Sequence, residues 1–129
     1  MRFRACAAVL GLVLAGCSVG GGGDSGERKV VLVTHDSFAM SDDVLNAFKR
    51  ETGITIDVRK LGDAGALTNQ LVLTKGSPIG DVAFGVDNTF ASRALDEDVF
   101  APHEVKADGP ADYALDDTNR LTAVDIGYV

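Results

Sequence analysis

The sequence contains no tryptophan, and aromatic residues make up only 6% of its 129 positions. A site gripping its ligand by ring stacking would therefore rest on a few side chains. Cysteine is as scarce, and two residues are too few for a disulfide scaffold. Bases are outnumbered, with twelve Lys+Arg against nineteen Asp+Glu and a net charge of −7. That balance argues against a nucleic-acid partner held through phosphates and suits small cations better than anions. The apolar run from Ala5 to Leu14 is too short for a transmembrane helix, which needs about 20 residues. What is present, 46% hydrophobic and 24% charged, is neither disordered nor fibrous, and its length suits one domain.

The first residues read as an address. Arg2 and Arg4 make a short basic start before the apolar run, the order of a secretory signal. The arginines are not adjacent, so a twin-arginine signal is not supported. Leu14-Ala15-Gly16-Cys17 resembles the lipobox of bacterial lipoproteins, which implies cleavage before Cys17 and lipidation of its sulfur; the alternative is a plain signal peptide. On this reading residues 1–16 are the signal and 17–28 are the lipidated cysteine with a Gly-rich flexible tether. Residues 29–129 are then the folded domain, held at the extracytoplasmic face of the cell membrane. Cys6 leaves with the signal and Cys17 carries lipid, so no disulfide forms within one mature chain. Loss of Arg2 and Arg4 from the twelve bases leaves ten against nineteen acids.

Periodicity in the remainder alternates strand and helix. Val30 to Thr34 is a continuous apolar run, as in a strand covered on both faces. Ser41 is placed to cap a helix with Asp42 and Asp43 in its first turn, Met40, Val44, Ala47 and Phe48 along its stripe, and Gly53 as its stop. Ile54 to Val58 reads as a second strand, Ala64 to Lys75 as a second helix stopped by Gly76, and Asp81 to Val86 as a third strand. Asn88 is placed to cap a short third helix ending near Asp96. Residues 103–120 have the composition of a surface loop, and Leu121 to Val129 resumes a strand-like pattern. The expected fold class is α/β, a parallel sheet flanked by helices.

In such sheets ligands sit beyond the carboxyl ends of the strands. His35-Asp36-Ser37, Gly62-Asp63 and Asp87-Asn88 all fall there. His35, Asp36 and Ser37 are the ingredients of a hydrolytic triad, but consecutive side chains diverge, and no G-x-S-x-G elbow is present. His35 and His103 lack metal-ligand spacing, and Gly62 and Gly65 lack that of a nucleotide-binding loop. Asp36 or Asp87 alone suits a turn or a helix cap. Together, on loops facing one crevice, they favour a cationic or amine-bearing ligand. Asp125 lies in an apolar, strand-like stretch where a buried carboxylate needs a partner, and Tyr128 suits core or ligand contact equally.

The segments VVLVTHDSF, GDAGALTNQLVLTKG, GDVAFGVDNTFASRA and LTAVDIGYV, in this order behind a lipobox, resemble thiamine-binding proteins, the substrate-binding subunits of bacterial ABC importers. The resemblance runs from Lys29 to Val129. It implies a type II periplasmic-binding-protein fold of two lobes, no catalysis, and no cofactor or metal. The cargo is thiamine or its phosphates, the partners a permease and its ATPase, and the complete protein a monomer. It assigns ligand contact to His35, Asp36, Ser37, Asp87, Asn88, Asp125 and Tyr128. Departures are His35, where the family often has Tyr, and Ala123, Val124 and Ile126 in the last segment. The family continues into a second lobe, so the chain reads as the first lobe of a fragment or truncated product. The alternatives are a binding protein for a polyamine, ferric ion or oxyanion, a tethered hydrolase using His35 or Ser37, and an interaction lipoprotein without ligand.

Overall fold

The computed structural model describes residues 26–105 and 113–125. Six elements follow one another as β1 (Arg28–Thr34), α1 (Asp42–Thr52), β2 (Ile54–Lys60), α2 (Ala64–Leu73), β3 (Val82–Phe84) and α3 (Ala91–Asp96). The strands form one parallel sheet in the order β2-β1-β3, with Val30 beside Ile56, and Thr34 between Lys60 and Phe84. Parallel neighbours need long crossovers, and α1 and α2 supply them. The expected α/β class with a parallel, helix-flanked sheet is therefore present.

Local chemistry explains the elements. Ser41 enters α1 in an extended conformation, and its carbonyl receives the amides of Val44 and Leu45, while its hydroxyl makes no cap bond. Asp42 and Asp43 at the start and Lys49 and Arg50 at the end oppose the helix dipole with the right signs. Gly53 closes the helix at φ +70°, its amide on the Lys49 carbonyl, as its position in the sequence requires. Asp63 caps α2 by accepting from the Ala66 amide at 2.7 Å.

Strand alternation sends Val31 and Val33 to the α2 side. Val33, Leu67 and Leu71 form the buried nucleus there, with Ala83, Val86 and Phe100 packed around it. Ala91 and Ala94 of α3 are buried as well. The opposite face carries α1, which has no buried residue.

Several boundaries differ from the sequence reading. Order reaches into the expected tether, since Glu27 binds Lys49 and Thr55, and β1 starts at Arg28. Helix α2 ends at Leu73 under Thr74, whose hydroxyl returns to the Gln70 carbonyl, so Gly76 is not its stop. Strand β3 is only three residues long. The N-cap of helix α3 is Phe90, without a side-chain cap bond, and not Asn88; the Asp87 carboxylate accepts from the amides of Thr89 and Phe90 in the turn before the helix. Leu121 to Asp125 is irregular and not a strand. Its anchor is Arg120, which donates to the Leu95 carbonyl and Asp98, while Asp116 holds the amides of Thr118, Arg120 and Leu121. A loop that satisfies its own backbone through one carboxylate has no need of a sheet neighbour.

Candidate functional site

The three loops beyond the carboxyl ends of the strands interlock. The Asp36 amide donates to the Gly62 carbonyl at 2.7 Å, and the Gly62 amide returns to Asp36 Oδ1 at 3.0 Å. The Leu61 amide donates to the Thr34 carbonyl, and the Lys60 ammonium to the Asp36 carbonyl at 2.9 Å. These bonds weld the first loop to the second. The third is joined through the His35 ring, which stacks on Phe84 with centroids 5.8 Å apart and planes 29° apart. Phe38 meets the same Phe84 edge-on at 5.3 Å. Gly85, at φ +113°, passes so close to the imidazole that a Cβ there would lie 2.2 Å from its Cδ2.

Asp36 therefore has a structural duty, binding the Gly62 amide, and Asp87 another, holding the turn that leads into α3. Both residues remain exposed, as do Ser37 and Asn88. Oδ1 of each carboxylate does the backbone work, and no described donor is assigned to either Oδ2. The loops thus bring His35, Asp36, Ser37, Asp87 and Asn88 to one end of the sheet. His35 and Asp36 turn to separate partners, so the three consecutive residues do not form a hydrogen-bonded relay with one another.

Asp125 is exposed, not buried in a strand. Its segment is fastened by Arg120 to the carboxyl end of α3, whereas Asp87 holds the turn before the opposite end. Tyr128 and Cys17 lie outside the described residues, as do the signal and most of the tether.

Phe38, Lys60 and Phe84 belong to the site and were not singled out from the sequence. Their signal was positional: each stands at or beside the carboxyl end of a strand. Phe38, Met40, Leu45, Val58 and Lys60 also line an open hollow of about 500 Å³ between α1 and β2. The volume lies within the range of small-molecule sites.

Among the described residues no group of three or more His, Cys, Asp or Glu is placed to hold a metal ion. No described helix is long and apolar enough to cross a membrane. The chain matches no family model, no curated protein and no solved structure.

Proposed function

We propose that the chain is the ligand-capturing first lobe of a type II solute-binding lipoprotein, anchored through Cys17, that takes thiamine or its phosphates for delivery to an ABC permease. One observation supports the reading above the others. Three interlocked loops at the carboxyl edge of a parallel sheet present Asp36 and Asp87 beside a histidine–phenylalanine stack. Thiamine carries a cationic ring and an amine, and carboxylates with an aromatic face are the groups that recognise such a ligand. Binding and release without chemistry is the expected activity, and thiamine is cargo and not a cofactor.

Calorimetric titration of thiamine into the full chain tests the reading. Saturable heat that weakens in Asp87→Asn supports it, and the amide keeps an oxygen for the turn amides of Thr89 and Phe90. No heat with thiamine or either phosphate refutes it. Cys17 is tested separately: membrane extracts should contain a lipidated form that disappears in Cys17→Ser.

A further inference from the structure

Helix α1 carries no buried residue, and Val44, Ala47 and Phe48 form an apolar stripe along its flank with Val44 and Phe48 exposed. Residues one heptad apart on a helix differ by only about 20° in direction. Asp43 and Arg50 are such a pair, so both border the stripe on the same side, an acid in the first turn and a base in the last. Neither side chain has a hydrogen-bond or ion-pair partner among the described residues. Lys49, in the same last turn, is bound instead to Glu27. The flank therefore offers a short apolar strip edged by one uncommitted acid and one uncommitted base.

We propose that this flank is a contact between two copies of the chain, with their α1 helices side by side and antiparallel. In an antiparallel pair of identical helices about a twofold axis, each heptad position meets its own kind on the other helix. Asp43 of each copy then lies level with Arg50 of the other. Val44 of each lies beside Phe48 of the other, around the two small Ala47 side chains. A parallel pair would set each charge beside its like. Charge complementarity thus selects both the occupant and its direction. Glu51 stands one turn after Ala47 and ends the strip, so the contact is smaller than a standard interface. Association is therefore weak, with a dissociation constant on the order of 0.1 mM, and dilute chains keep the stripe open. The pairing uses none of the strand-end residues and does not depend on the solute-binding reading.

Sedimentation equilibrium of the full 129-residue chain, with its two cysteines kept reduced, tests the pairing from about 10 µM to about 1 mM. The weight-average mass should rise from 13.4 kDa at the dilute end toward twice that value. Val44→Glu should abolish the rise. Asp43→Arg and Arg50→Asp should each weaken association roughly fivefold, because each sets like charges side by side. The two changes together should restore it. The double variant carries the unfavourable charge at both ends of the α1 dipole, so its recovery cannot come from a better-formed helix. A merely structural effect would make it the weakest of all. A chain that stays monomeric at about 1 mM overturns the proposal. Association that ignores Val44→Glu or the single charge reversals also overturns it, and so does a double variant no better than either single one.

Discussion

The two faces of the sheet are built to different standards. On the α2 side Leu67 is fully buried against Val33, and α3 adds Ala91 and Ala94. On the α1 side Met40, Val44 and Phe48 repeat at helical spacing yet stay 43%, 53% and 38% exposed, and Val82 of β3 is exposed beside them. Both helices flank the same strands, and both carry apolar stripes. The difference lies in what meets the stripe. Helix α2 packs with α3 over the sheet centre, whereas α1 rests mainly on β2. An apolar stripe stabilises a fold only by the area it removes from water, about 25 cal/mol per Å². Most of the stability should therefore reside on one side of the sheet.

The sharpest way to break that comparison is a pair of truncations. Leu67→Ala should cost about 2–5 kcal/mol, because it opens a cavity where nothing can refill it. Val44→Ala removes fewer atoms from a side chain already half in water and should cost under about 0.5 kcal/mol. Chemical denaturation of the two variants measures both. Similar losses would mean that the α1 face is covered in solution and that the asymmetry described above is wrong.

Next in size is Gly85→Ala. It places a Cβ against the His35 ring in a left-handed backbone conformation. Strain of this kind costs about 1–3 kcal/mol. The ring must also leave Phe84, so the proposed thiamine binding should fall further than stability does. A fully stable variant with unchanged binding would show that the aromatic contact contributes to neither.

The order of elements was legible because each has a local cause. The acids and bases at the two ends of α1, Gly53 after it, and the β-branched run of Ile54 to Val58 announce themselves in a short window. Asp36 and Asp87 were legible as strand-end carboxylates suited to a turn, as Asp87 proves on the amides of Thr89 and Phe90, but the bond of Asp36 to the Gly62 amide was not. A partner 26 residues away leaves no periodic trace. The stripe of α1 was legible as a pattern, but how little of it is buried was not, since burial depends on what the opposite surface supplies. Leu121 to Asp125 was misread for a related reason: the segment looks like a strand, but its neighbours are held by Asp116 and Arg120 in a loop of their own.

Thr34 complicates the comparison from the other side. Strand alternation places it on the α1 face, yet it is fully buried and its hydroxyl has no hydrogen-bond partner among the described residues. A buried hydroxyl without a partner costs its desolvation and returns nothing. Thr34→Val keeps the shape and removes the penalty, so it should raise stability by about 1 kcal/mol. A loss of stability instead would reveal a partner for that hydroxyl in solution.

The smallest effect concerns how the two faces are fastened at their rims. The Asp57 carboxyl is held below its ordinary value of 3.8 first by its hydrogen bond to Lys29, which joins β1 to β2, and then by Arg59 on its own strand. Glu27 is lowered from 4.5 chiefly by its hydrogen bond to Lys49, which ties the start of β1 to the end of α1. Both groups are depressed in the folded chain, so their stabilisation is complete above the unfolded values and is lost as pH falls through the folded ones. The melting temperature should be flat from neutral pH to about 5 and decline below about 4. Both carboxylates are solvated, so the contribution is modest and shrinks with added salt. Asp57→Asn and Glu27→Gln should each flatten part of the decline. Because α1 has little burial of its own, Glu27→Gln should also speed hydrogen exchange in α1 more than Asp57→Asn does in α2. Equal exchange in both helices would place the strength of the α1 attachment in packing after all.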